Sequence, residues 1–443
     1  MNDETAQQTA ERLGVSIDTI RKWAKENRIP GAVRHGRSWR IPAGFDPVQL
    51  REAQPGHAAD QAAKGDRPLR IAMPLMNSAY PVGSCRDFVE AIPDEELRTI
   101  AWGEYFYFSG QAELAAQTMA PYLDSADPML RYSAGLVWFF AGFTRGRIQQ
   151  AMQAFEQLQR DLQSDLQGEV PPAQLAIGAF AVTTSSVLLH LPMAVEVDLK
   201  QYIPYLPEGL KLWACYLLAH RMYLEKNYHG SLAVAELALA MTAQVYPIAA
   251  IYLHLVIVMS LMSLRRVSEA RQHMAQAWAL AQPDGLIEPF GEHHGLLQGM
   301  IERFFQKNDS DTYDRIIAIT YTFSAGWRKI HRLVSRREVA DNLTTTEFTI
   351  AMLYNRGWTA KEIAAYMSLS PRTITNAIQV IYQKLGISGK KELGQFMLAC
   401  GGQGGCACRS SHIRSGIYTD LLAICESIFP VQVKTVPKLL CAA

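Results

Sequence analysis

Cysteine is scarce through the first 399 positions of this 443-residue chain, where only Cys85 and Cys215 occur. Two thiols cannot staple a secreted fold, so a disulfide scaffold is excluded there. No apolar run follows the opening Met-Asn-Asp-Glu, so no secretion signal is read and a cytoplasmic protein is expected. No G-x-x-x-x-G-K-[ST] occurs, and Gly389-Lys390-Lys391 follows a helical pattern instead of a strand. A P-loop engine is therefore not expected. Neither a nucleophile elbow nor a carboxylate pair placed for acid–base work is present, so no catalysis is expected and no cofactor is called for. His293-His294 lacks a second ligand pair at metal spacing and reads as core or solvated histidine, not as a metal site. Long hydrophobic runs are few. Residues 246–264 form one, interrupted only by His254, but Pro247 stands near its start and an amphipathic pattern follows over 267–281. It reads as a buried helix and not as a membrane span.

What is present is a polarised charge pattern. The formal net charge is only +1. Residues 1–51 carry a net +3 and residues 328–397 a net +6, while 52–327 carry −10 and the tail from 398 carries +2. Two basic ends around an acidic body suit a chain whose ends meet a polyanion. Residues 52–70 are rich in Ala, Gln, Gly, Pro and charge, with Leu69 the one large apolar side chain, and read as a flexible linker.

Between about 88 and 335 apolar residues recur at spacings of three and four, and Gly and Pro fall mainly between segments, which predicts helix after helix. A degenerate period emerges when the joints are aligned. Tyr107 through Gly110 leads to Ala115, and Phe143 through Gly146 leads to Ala151. Tyr223 through Lys226 leads to Ser231, and Met262 through Arg265 leads to Ala270. Joints at 110, 146, 226 and 265 leave room for one further unit near 189 that has lost its signature. An aromatic or large apolar residue, a tight turn and a small residue five positions on let two antiparallel helices approach closely, so a helical-hairpin solenoid is expected. The pattern resembles tetratricopeptide repeats, in particular the degenerate kind in the sensor region of the bacterial maltose-regulon activator family. The run from Leu286 to Glu292 adds to that likeness.

At the N-terminal end, Thr9 to Trp23 reads as two short helices. Ala10 and Leu13 face inward from the first, Gly14 permits the bend, Ser16 caps the second, and Ile20 and Trp23 anchor it. Thr19, Arg21, Lys22 and Lys25 are then placed to reach phosphates or base edges. Val33 and Arg34, a turn at His35-Gly36 and the strand Trp39 to Ile41 form a hairpin that carries Arg34, Arg37 and Arg40 as a wing. In this order the residues resemble the excisionase and MerR group of winged helix-turn-helix domains, which implies DNA binding by residues 5–45.

The C-terminal end is richer in motif. Leu343-Thr344-Thr345-Thr346-Glu347 opens a helix with a Thr cap and a Glu in its first turn. Gly357 with Lys361-Glu362-Ile363-Ala364 reads as a scaffold helix. Ser370 then caps a helix with Pro371 in its first turn and an inward stripe of Ile374, Ile378, Ile381 and Leu385. Arg372, Thr373, Thr375, Asn376 and Gln379 project outward, where Asn and Gln suit adenine and Thr and Lys384 suit phosphate. Residues 343–398 closely resemble the LuxR/GerE-type DNA-binding domain, a four-helix module whose third helix reads the major groove. The chain departs from that family at Thr346, where Arg is usual, and at Thr375-Asn376-Ala377, where a Lys-Asn-His run is favoured. Both changes imply a weaker phosphate grip and a greater dependence on dimerisation or on the other end module.

The expected fold is mainly α: a winged helix-turn-helix over 1–51, a linker over 52–70, a tetratricopeptide-like solenoid over 71–335, a LuxR-type helix-turn-helix over 336–398 and a Cys/Gly-rich tail over 399–443. The expected function is a DNA-binding transcription regulator whose middle senses or docks a protein, peptide or small-molecule effector, and which dimerises on DNA. The rival is an adaptor scaffold whose end modules dock proteins without binding DNA.

Overall fold

A computed structural model describes residues 3–13, 15–25, 29, 32–35, 38–42, 69–306, 308–335 and 343–398. Gly14, Gly36, Arg37, the linker over 52–68 and the cysteine-bearing tail from 399 lie outside the described residues. The chain divides into two compact units, one ending at Leu69 and the other beginning at Arg70.

In the first unit a three-residue strand β1 (Asp3–Thr5) precedes helices α1 (Ala6–Leu13) and α2 (Ile17–Lys25), and a hairpin of β2 (Val33–His35) and β3 (Ser38–Pro42) follows. The sheet order is β1-β3-β2 with every pair antiparallel; Thr5 and Val33 both face Arg40. Strand β1 was not foreseen. It covers the outer edge of β3, a long-range pairing that no local period announces, and its Glu4 is held by Arg12 of α1 at 2.9 Å. Ala6, Ala10, Ile20, Ala24, Ile29 and Ile41 make the core of this unit, with Trp23 and Trp39 packed against it.

The second unit is helical. After α3 (Cys85–Glu90) come the hairpins α4 (Glu95–Phe108) with α5 (Ala112–Met119), and α6 (Pro128–Thr144) with α7 (Ile148–Gln167). Then α8 (Pro172–Leu189) stands without a return helix. The hairpins α9 (Glu208–Leu224) with α10 (Tyr228–Ala240) and α11 (Pro247–Ser263) with α12 (Val267–Ala281) complete the row. The joints fall where the period places them. Gly110, Gly146, Lys226 and Arg265 all adopt positive φ, between 62° and 81°. Glycine does so at little steric cost, whereas at Lys226 and Arg265 the turn is imposed on a side chain. The small residue five positions on is fully buried in each case: Ala115, Ala151, Ser231 and Ala270. His190 repeats the turn at φ 52°, with Leu191 N–H donating to Ser186 O at 2.9 Å. What the unit near 189 has lost is thus not its turn but its second helix, replaced by 3-10 turns at Leu199–Gln201 and Ile203–Tyr205.

The row closes on itself. Asp284, just past α12, accepts the backbone N–H groups of Gly83 and Cys85 at 2.8 and 2.9 Å. Near the start of the unit, the buried carboxylate of Glu104 on α4 accepts from the N–H groups of Leu75 and Met76 at 2.9 and 3.1 Å. A solenoid suggests an open groove lined by its leading helices, but α13 (Glu288–His293) reaches four of those helices. Glu292 accepts from Tyr107 of α4 and from Tyr252 of α11, Glu288 bonds Thr144 of α6, and His293 bonds Tyr216 of α9. α14 (Met300–Phe305) and the long α15 (Ser310–Ser335) follow, with Phe323 of α15 edge-on to Phe143. The chain beyond 285 supplies Phe290, Phe305, Ile316 and Ile319 as buried apolar surface, which outweighs keeping the groove empty. Residues 172–189 and 247–263 are apolar enough to invite a membrane reading, and both are mostly buried in this core.

The last four helices, α16 (Thr345–Asn355), α17 (Ala360–Met367), α18 (Pro371–Leu385) and α19 (Lys390–Leu398), belong to the same unit. One apolar core runs from Ala72 through the hairpins to Ile350, Trp358, Ile363, Ile374 and Leu393.

Candidate nucleic-acid interface

The third of these helices is built to show one polar face. Thr344 and Thr359 head α16 and α17 with reciprocal capping boxes to Glu347 and Glu362. α17 ends at Ser368 in the left-handed region, and two residues later Ser370 accepts the N–H of Thr373 at 3.0 Å to start α18. Ile374, Ile378 and Ile381 point inward and are buried; Leu385, the fourth of the expected stripe, is half-buried. Arg372, Thr373, Thr375, Asn376 and Gln379 are therefore left exposed along one side, as 3.6-residue geometry requires.

The hydroxyl and amine groups on this face are not equally available. Ser370 Oγ is shared between the Thr373 N–H and the Thr373 hydroxyl, and Thr375 Oγ1 donates to the Pro371 carbonyl at 3.0 Å. Lys384 is directed elsewhere: its ammonium grips both oxygens of Glu347 at 2.7 and 2.8 Å, tying α18 to α16. That pairing, together with hydrogen bonds from Thr344, holds the Glu347 carboxyl below its ordinary range despite desolvation, the largest single influence, which acts upward. Arg372, Asn376 and Gln379 thus form the outward polar set that suits base edges and phosphates.

In the first unit, α2 presents Arg21, Lys22 and Lys25 to solvent, while Ile20 is fully buried and Trp23 half-buried. Ser16 caps α2 through the Thr19 N–H at 3.0 Å, and its hydroxyl meets that of half-buried Thr19 at 2.8 Å. Arg34 and Arg40 are exposed on adjacent strands of the wing, Arg40 lying opposite Val33 and Arg34 opposite Trp39. Arg37, the third expected wing residue, lies outside the described residues.

Sequence reasoning missed how firmly α16 and α17 are held by the helical hairpins. Arg356 at the end of α16 donates to the Tyr223 hydroxyl at 2.5 Å and to Ser263 Oγ, its guanidinium lying over the Tyr223 ring at 5.4 Å. Arg265, at a repeat joint, reaches Glu362 at 3.1 Å and the Gly357 carbonyl at 2.9 Å. Arg303 of α14 donates to the Tyr366 carbonyl. Gly295, after α13, lets α16 approach so closely that an added Cβ would come within 2.8 Å of the Phe348 ring. A sequence signal for this seam is the basic residue at the repeat joint, Arg265, whereas its neighbour Arg266 pairs with Glu269 of its own helix.

Comparison with known proteins agrees with this geometry. Residues 5–44 match a family described as helix-turn-helix domain, and residues 341–397 match bacterial regulatory proteins of the luxR family. No curated protein and no solved structure matches the chain. The fold and the paired modules define a DNA-binding transcription regulator. Its N-terminal end is an excisionase-like helix-turn-helix and its C-terminal end a luxR-type helix-turn-helix, on either side of a helical middle.

Proposed function

We propose that this protein is a one-component regulator in which residues 71–335 sense an effector and the modules over 1–51 and 336–398 both hold promoter DNA. The observation that carries the reading is the outward face of α18, where Arg372, Asn376 and Gln379 are exposed above a buried isoleucine stripe. In the major groove Asn and Gln pair bidentately with adenine and Arg with guanine or phosphate, so this face has the chemistry for direct readout. The wing arginines Arg34 and Arg40 and the α2 cations Arg21, Lys22 and Lys25 supply phosphate contacts at the other end. Two protomers on one site would double these contacts and raise affinity through effective concentration, so a homodimer on DNA is part of the proposal.

The test uses duplexes that the intact protein selects from a random-sequence pool. Arg372→Ala with Asn376→Ala is expected to weaken binding by roughly tenfold or more and to relax sequence preference, since a good bidentate contact is worth ~1–3 kcal/mol. Arg34→Ala with Arg40→Ala is expected to weaken binding evenly across sequences. If all four changes together leave selection and affinity as they were, the end modules are protein-docking surfaces and the reading fails.

A further inference from the structure

A cleft of about 240 Å³ opens where the helical middle meets α16. It exceeds the ~150 Å³ apolar cavity that admits benzene, so a ring with substituents fits. Its walls are largely apolar: Leu188 of α8, Phe323 and Trp327 of α15, and Phe348 and Met352 of α16. Buried His220 of α9, His294 and Thr320 of α15 line it from the middle together with the half-buried Glu292 of α13.

His220 is the informative one, because a chain of hydrogen bonds fixes its tautomer. The Pro289 carbonyl can only accept, so His293 Nδ1, 2.8 Å away, carries a proton. Burial lowers the His293 pKa to about 4, which leaves Nε2 bare to accept the Tyr216 hydroxyl at 2.7 Å. The Tyr216 hydroxyl, whose hydrogen points at His293, faces His220 Nδ1 at 3.4 Å with its oxygen as an acceptor, so His220 bears its proton on Nδ1. Burial and the neighbouring His293 also keep His220 neutral. His220 Nε2 is thus a bare lone pair, buried and without a hydrogen-bond partner among the described residues, in a side chain only 3% exposed. A buried acceptor without a partner is costly, and a ligand donor is what would satisfy it.

The opposite wall leads to the DNA-binding face. Thr344 lines the cleft and heads α16; its hydroxyl accepts the Glu347 N–H at 3.2 Å, and its own N–H donates to the Glu347 carboxylate at 2.8 Å. The same carboxylate holds Lys384 of α18. Three contacts connect the cleft wall to the helix that carries Arg372 and Asn376.

We propose that this cleft binds a small molecule with an aromatic or alicyclic body and a hydroxyl or amine that donates to His220 Nε2, and that its occupancy changes DNA affinity by displacing α16. The proposal rests on the reading of the middle as a sensor and gives that sensor a site and a ligand class. The experiment titrates the full chain by calorimetry with two probes, 2-naphthol and 2-methoxynaphthalene, which differ in the donor. The expected result is that 2-naphthol binds roughly tenfold more tightly, the scale of one satisfied buried polar group. His220→Phe should bring 2-naphthol down to the level of its ether, and Ser324→Trp, which fills the cleft, should remove both. Equal binding of the two probes to the unaltered protein, or no binding of 2-naphthol, overturns the site, and neither outcome depends on a variant folding. DNA binding is then measured with and without saturating 2-naphthol. A change of several-fold that Ser324→Trp abolishes supports the coupling. Unchanged DNA affinity with 2-naphthol bound overturns the coupling alone, and absence of DNA binding in both conditions overturns the regulator reading instead.

Discussion

Arg356 is the side chain whose loss should most clearly separate the C-terminal module from the helical middle. It donates to the buried Tyr223 hydroxyl and to Ser263, and its guanidinium lies 5.4 and 5.9 Å from the centres of the Tyr223 and Tyr228 rings. Arg356 itself is half-buried, so water replaces part of what is lost. Counting ~1 kcal/mol net for each charge-assisted hydrogen bond and ~1 kcal/mol for the ring contacts, Arg356→Ala weakens docking by about 3 kcal/mol. That shifts the docked-to-undocked ratio by about a hundredfold. A module of under sixty residues, once undocked, is marginal by itself, so its own helices open more often. Hydrogen exchange should therefore accelerate across residues 343–398, while α11 and α12 stay protected. Arg356→Lys should fall between, since it keeps the charge without the planar fork. If exchange over 343–398 is unchanged in Arg356→Ala, the Arg356 seam does not hold the module.

The pH dependence of stability has a definite sign. Burial raises the Glu104 carboxyl to about 8 and the Glu292 carboxyl to about 7, so the folded chain binds protons that the unfolded chain has released, and stability falls as pH rises through these values. Burial lowers His254 and His293 to about 4, so they cost stability only as pH falls below about 6.5 and are silent above it. Between pH 6.5 and 8 Glu104 alone should remove about 2 kcal/mol, read from urea midpoints, and a flat or rising stability over that window would contradict the burial assigned to it. Lys384 is committed to Glu347, so Lys384→Met should lower the salt dependence of DNA binding less than Arg372→Ala, which should lower its slope by ~0.9; equal effects would show that Lys384 leaves Glu347 for a phosphate.

The local features of this protein were legible in its sequence. The four repeat joints announce themselves because a left-handed turn followed by a small buried residue is a local requirement, and Gly110 and Gly146 with Ala115 and Ala151 satisfy it within six positions. The two helix-turn-helix faces were equally readable, since capping residues and an isoleucine stripe determine which side of α18 is buried. What was not legible depends on distant partners. Strand β1 forms by pairing with β3 across the whole first unit, the filling of the solenoid requires α13 to meet helices up to 185 residues away, and the cleft gathers side chains from Leu188 to Met352. Lys384 illustrates the limit: its spacing suits phosphate, yet Glu347, 37 residues earlier, claims it. The wing lies between these cases, with its strands described and Arg37 outside the described residues.

The salt dependence of DNA binding by the intact protein tests the central claim most directly. The exposed cations Arg21, Lys22, Lys25, Arg34, Arg40 and Arg372, each neutralising one phosphate, predict that log K falls against log salt with a slope of about −5 per protomer. A steep slope of this order, measured by fluorescence anisotropy on selected duplexes, is the result expected. Binding that does not vary with salt, or none at low ionic strength, would contradict the assignment of α2, the wing and α18 to DNA.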